Sequence, residues 1–137
     1  MKIVDMKTKL QALWIFAMFN YLYADVMSLM DPIAHRNIEA GTAGSVAMTP
    51  GFLLGAAVLM ETAIAMVVLT RVLGHRANRW ANVIAGFIHT AAMSLAMLVS
   101  PPSAYYIFFA AVEIPCTLLI IWLALRWKPQ AAAMAVA

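Results

Sequence analysis

The sequence predicts an all-α integral membrane protein, a four-helix bundle running up-down-up-down with both termini in the cytoplasm. Three observations predict it. Of 137 residues, 65% are hydrophobic and 11% charged, where a soluble domain carries about a quarter charged residues. With a mean hydropathy of +0.88, a soluble chain this short would have too little interior to hide its apolar surface. Second, four apolar runs each reach the roughly 20 residues that a helix needs to cross a hydrocarbon core of about 30 Å. Third, all nine cations except Arg36 (Lys2, Lys7, Lys9, Arg71, Arg76, Arg79, Arg126 and Lys128) flank those runs at alternate ends. That is the positive-inside pattern, which sets orientation.

Composition also excludes. The net charge of +3 belongs to span ends rather than to a basic face, so nucleic acid is not a partner. A single cysteine, Cys116, rules out an intrachain disulfide and a Cys-x-x-Cys relay. The basic segment Met1 to Lys9 followed by an apolar run looks like a signal peptide. The run is too long for one and lacks a small-residue cleavage site, so it reads as an uncleaved first span. The expectation is a single membrane domain over 1–137.

Only helices and closed barrels satisfy their backbone in lipid, and continuous rather than alternating hydrophobicity selects helices. Span 1 covers about 10–30 and ends at Asp31-Pro32, because proline disfavours the helical conformation of the residue before it. The longest loop follows, rich in turn residues, with a short surface helix over His35 to Ala40. Span 2 covers about 51–73, with Thr49 as N-cap and Pro50 at the first helical position. Its Gly51 and Gly55 form a Gly-x-x-x-Gly pair that permits close helix approach, and so a homodimer through that face. Gly74 to Arg79 reads as a short basic hairpin. Span 3 covers about 80–99, and Ser100 to Ser103 forms a tight turn. Span 4 covers about 104–125, with Gln130 to Ala137 as a frayed tail.

The polar residues inside the spans are the candidate site. Glu61 lies ten residues beyond Gly51, about 15 Å deep at about 1.5 Å per residue. Glu113 lies ten residues beyond Ser103, at the same level, and His89 nine beyond Trp80. Asn20 is near the middle of span 1, with Asp25 about a turn and a half further out. An ionised carboxylate at that depth costs at least about 2.5–3.5 kcal/mol. The expectation is therefore that Asn20, Asp25, Glu61, His89 and Glu113 converge inside the bundle, where they pair, protonate or bind a cation. Helical spacing adds Tyr21 beside Asp25 and Tyr106 beside Glu113. Pro115 frees the carbonyl of Ala111, which could join a site near Glu113. Pro50 precedes Glu61 by the same interval as Pro102 precedes Glu113, a hint of internal duplication.

As metal ligands, Asp25, Glu61, His89 and Glu113 would suit Mn, Fe or Zn, but the Glu-x-x-His motif of di-metal bundles is absent. No metal is expected, and no cofactor is indicated. The eleven methionines read as apolar packing.

Several strings carry a resemblance: Leu13-Trp14-Ile15-Phe16, Tyr23-Ala24-Asp25, Ser28-Leu29-Met30-Asp31-Pro32, Met60-Glu61 and Asn78-Arg79-Trp80-Ala81-Asn82. Over roughly residues 10–128 the chain resembles DUF6326, a bacterial family of small four-span proteins of unknown function. The resemblance implies a four-helix protein of the bacterial cytoplasmic (inner) membrane and no particular activity. The architecture is also similar to that of DoxX-like proteins, some linked to quinone-dependent oxidation, although no DoxX motif is present.

Three functions stay open. The cluster could bind or pass a proton, a cation or a small apolar ligand. It could instead serve a membrane-embedded oxidoreductase or isomerase, with His89 and a glutamate exchanging protons and Tyr21 and Tyr106 orienting a lipid-soluble substrate. Or it could be interhelical glue in a structural or assembly partner.

Overall fold

The computed structural model describes residues 5–99 and 103–128. Four long helices carry the fold: α1 (Met6–Met30), α3 (Pro50–Val72), α4 (His75–Val99) and α5 (Ala104–Arg126). All four are long and apolar enough to cross a membrane. Between α1 and α3 lie a short helix, α2 (Pro32–Glu39), and two short strands, β1 (Thr42–Ala43) and β2 (Val46–Ala47). Ser100 to Pro102, Lys2 and the tail from Pro129 fall outside the described residues.

Local chemistry explains the boundaries. Asp31 ends α1 and caps α2, its carboxylate accepting from the Ile33 amide at 2.9 Å, with Pro32 in the first helical position. The Thr49 hydroxyl accepts from the Phe52 amide at 3.1 Å and Pro50 opens α3. A proline there costs nothing, because its missing N–H would have had no helical partner. The loop hides a feature that the sequence did not announce. β1 and β2 pair antiparallel, Thr42 with Ala47 and Ala43 with Val46. Gly44 (φ +61°) is the first of the two turn residues, where a type II′ hairpin turn needs a positive φ. Ser45 in that turn donates to the Val99 carbonyl at 3.0 Å, tying the hairpin to the end of α4.

Two segments depart from the sequence reading. α1 begins at Met6, about a turn before Leu10, so Lys7 and Lys9 are helical. The expected hairpin from Gly74 to Arg79 is mostly helix, since α4 starts at His75 and only Leu73 and Gly74 separate it from α3. Hydropathy marks where a helix turns apolar; it does not mark where its backbone bonding starts. The lysines and arginines are good helix formers, and they carry both helices past the apolar window.

Around the bundle, α1 packs against α3 and α5, and α4 packs mainly against α5. Ends meet in pairs. Lys7 near the start of α1 donates to the carbonyls of Leu73 (2.8 Å) and Arg71 (3.1 Å) at the end of α3. Ser28 near the end of α1 accepts from the Tyr105 hydroxyl at 3.2 Å at the start of α5. The tightest crossing is α4 on α5. A Cβ added to Gly86 would lie 2.7 Å from Ile121 Cγ1 and 3.3 Å from the Thr117 carbonyl oxygen. Beside it the hydroxyls of Thr90 and Thr117 are 2.7 Å apart. Small residues and interhelical hydrogen bonds of this kind hold helices together where lipid removes the hydrophobic drive.

The buried core is Leu10, Trp14, Ala17, Tyr21, Ala63, Met66, Ala85, Cys116 and Ile120. α3 contributes least: only Ala63, Met66 and Thr70 are buried, and every residue from Pro50 to Val58 is exposed.

Candidate functional site

The core face of α1 runs Leu10, Trp14, Ala17, Tyr21 and Ala24, an i, i+3/i+4 stripe. The core face of α4 runs Asn78, Asn82, Gly86, His89 and Met93, and Glu113 stands in the core face of α5 between Ala110 and Thr117. These faces meet around a cavity of about 100 Å³. An engineered cavity of about 150 Å³ can hold a benzene ring, so this one has room for a few waters or a small organic ion. Tyr21, His89 and Glu113 line it with Met93, and Leu59 and Met60 of α3 close one side. Asp25 and Tyr106 also line it; Asp25 is exposed and Tyr106 half-buried, placing them at the mouth.

The expected convergence is partial. Asp25, His89 and Glu113 do come together, with Tyr21 and Tyr106. Glu61 does not join them: its side chain is exposed on the outer face of α3, away from Ala63, Met66 and Thr70. A helix position two residues from a buried one is rotated by about 200°, and depth alone could not reveal that. Asn20 also stays outside, donating to the Phe16 carbonyl of its own helix at 2.8 Å. The apparent duplication fails on the same ground, since Glu113 is 2% exposed and Glu61 faces out. Pro115 and Ala111 are exposed as well, so the carbonyl freed by the proline is on the opposite side of α5 from Glu113.

His89 is fixed on three sides. Its Nε2 is 3.2 Å from Thr62 Oγ1. That hydroxyl donates to the Leu59 carbonyl, which leaves its oxygen to accept an N–H from His89. The ring stacks on Tyr21 (centroids 5.2 Å, planes 19° apart) and meets Trp14 edge-on at 5.5 Å. Glu113 is different. The Glu113 carboxyl and the Tyr21 hydroxyl lie within reach of one another, but among the described residues neither Oε2 nor that hydroxyl makes a hydrogen bond of normal geometry, and both are buried. Unpaired buried polar groups are uncommon and call for an explanation.

Sequence reasoning missed the polar ladder below His89. The Trp14 indole N–H donates to Asn82 Oδ1 at 2.8 Å, and Asn82 Nδ2 donates to Asn78 Oδ1 at 2.7 Å. Asn78 Nδ2 donates to the Thr70 carbonyl at 2.6 Å. Asn78 lies in the segment expected to be a hairpin, and Trp14 lies near a span end, where membrane proteins commonly carry a belt of tryptophan and tyrosine. The usable signal was the four-residue spacing of Asn78 and Asn82, in phase with Gly86, His89 and Met93. Among the described residues no group of three or more His, Cys, Asp or Glu side chains is placed to hold a metal ion.

Fold and site together define a multi-pass membrane protein with four apolar helices around a small acidic cavity. The chain belongs to DUF6326, a family of unknown function, whose model matches residues 1–134. Neither the curated proteins nor the solved structures contain a match to it.

Proposed function

We propose that the protein is a membrane binding module that admits a small cation or protonated amine past Asp25 and holds it at Glu113. One observation carries the reading: the buried Glu113 carboxyl faces a cavity with an unpartnered oxygen, next to an unpartnered tyrosine hydroxyl. Polar groups used as glue have partners across the bundle, as Trp14 with Asn82 and Thr90 with Thr117 do. Glu113 Oε2 has no bond of normal geometry; its neighbour is the Tyr21 hydroxyl, which lines the same cavity and is itself free to turn toward a ligand. A carboxylate with tyrosine rings around it suits an ammonium group, which gains both charge and cation–π attraction.

Seven of the described cations (Lys7, Lys9, Arg71, Arg76, Arg79, Arg126, Lys128) lie at one end of the bundle and Arg36 at the other. By the positive-inside rule this distribution supports a reading with both termini in the cytoplasm and the mouth on the outer side of a bacterial inner membrane.

Equilibrium binding of radiolabelled methylammonium to the purified protein tests this reading. Wild type should bind saturably, Glu113→Gln should lose at least about tenfold in affinity, since a desolvated charge pair is worth more than about 1.4 kcal/mol, and Glu61→Gln should bind as wild type does. Absence of saturable binding, or equal binding by Glu113→Gln, would refute it.

A further inference from the structure

Three of the smaller polar side chains on the long helices reach a carbonyl of their own helix. Asn20 bonds to the Phe16 carbonyl, Ser28 to that of Ala24 and Ser94 to that of Thr90, all within their own helices. Asp25 faces the cavity mouth. Glu61 has neither resource. It is exposed halfway along α3; a carboxylate has no proton to give a helix carbonyl, and the backbone N–H groups from which it could accept are already bonded within the helix. Lipid offers it no hydrogen bond, and an ionisable group inside a membrane is expected to have a protein or water partner.

Its neighbours describe the surface that would cover it. Gly51, Leu54, Gly55, Val58, Glu61, Leu69 and Val72 are all exposed; at about 100° per residue Leu54, Val58, Glu61 and Val72 lie within about 60° of one another on α3, with Gly51, Leu69 and Gly55 along one edge of that face. A Cβ on Gly55 would meet nothing within 4 Å, and one on Gly51 only the capping Thr49 hydroxyl. The pair is therefore unused within the chain, whereas Gly86 is filled by Ile121. Small-xxx-small pairs let helix backbones approach closely in membranes.

We propose that this face of α3 is the interface of a homodimer, with Glu61 of each copy opposite the same residue of the other. A second copy is the occupant that the positions favour. A two-fold axis along the membrane normal sets each residue at the depth of its counterpart, so the partner brings a carboxyl to the level where one is needed. Two carboxyls sharing a proton satisfy one another without a cation. The described cations lie toward the helix ends and His89 is buried, so the chain itself offers Glu61 no counter-ion at that level. The inference rests on the bilayer placement and is independent of the ligand.

The test uses the full-length protein in dilute lipid bilayers. Fluorophore photobleaching should count two copies per spot for wild type and Glu61→Gln, whose amides also pair, and one for Glu61→Lys. Under copper-catalysed oxidation Val58→Cys should form a disulfide-linked dimer. Ile84→Cys on the exposed face of α4 should not, and nor should wild type, whose Cys116 is buried. Single-copy wild type, two-copy Glu61→Lys, or crosslinking at Ile84→Cys equal to that at Val58→Cys would each overturn the proposal. None of these readouts involves methylammonium, so failure here leaves the binding reading standing and failure there leaves this one.

Discussion

Asn82 and Glu113 are both buried polar residues, and they differ in what they do with it. Asn82 accepts from Trp14 and donates to Asn78; removing its amide orphans a buried indole N–H. Asn82→Ala should destabilise the fold by roughly 1–3 kcal/mol, read as a lower unfolding midpoint in detergent. Glu113→Gln removes charge from an oxygen without a partner, so the same measurement should show a smaller loss than Asn82→Ala. The sequence exposed these residues unevenly. Glu113, His89 and Asp25 stand out because ionisable groups are costly in apolar runs. Asn82 and Trp14 do not, because an asparagine at a span end and a tryptophan in a belt are both ordinary. Glu61 stood out for the right reason and was assigned the wrong side, because its level in the bilayer follows from counting residues and its facing follows from packing.

At the scale of the elements, the α4–α5 contact turns on Gly86. Gly86→Ala puts a methyl group where Ile121 Cγ1 would be 2.7 Å away, and overpacking of this kind costs about 1–3 kcal/mol. Gly86→Ala with Ile121→Ala should recover part of that loss, so that the double-mutant cycle shows coupling between the two positions. Gly55→Ala in detergent-dispersed monomers should be neutral. Helices, caps and the short α2 were legible because their signals are local: a continuous apolar run, Thr49-Pro50, Asp31-Pro32. The two-residue strands were not, since Thr42-Ala43 and Val46-Ala47 are too short to show an alternating pattern, and only Gly44 marks the turn. The start of α4 was hidden by charge, because a basic stretch reads as a loop although its residues favour helix.

Across the whole molecule the cavity lies toward one end of the bundle. Its mouth is beside Asp25 and Tyr106, and the other half of the bundle is filled by Leu10, Trp14, Met66 and Ile120. A hollow at the far end, lined by Asp5, Lys7, His75 and Trp127, shares no residue with it. The rungs between are indole and amide groups, which do not release protons as a hydroxyl or carboxyl chain would. On the proposed reading the molecule holds its ligand rather than conducting it. In proteoliposomes wild type should add no proton flux to that of empty vesicles. A membrane-impermeant thiol reagent should label Ala96→Cys, at the cavity wall, from one side only, and should leave Ile120→Cys unlabelled from either. Four apolar helices, antiparallel to their neighbours in chain order, were legible in the sequence; that Pro50 to Val58 of α3 is left exposed while Leu59 and Met60 line the cavity is not encoded in composition.

The central claim is that the cavity at Glu113 is a binding site. The most direct measurement is a high-resolution experimental density map of the protein prepared in lipid with methylammonium, compared with one prepared without it. The account predicts a compact feature in contact with Glu113 Oε2 and the Tyr21 hydroxyl, present only with the amine. A dry, collapsed interior, or density unchanged by the amine, would contradict it.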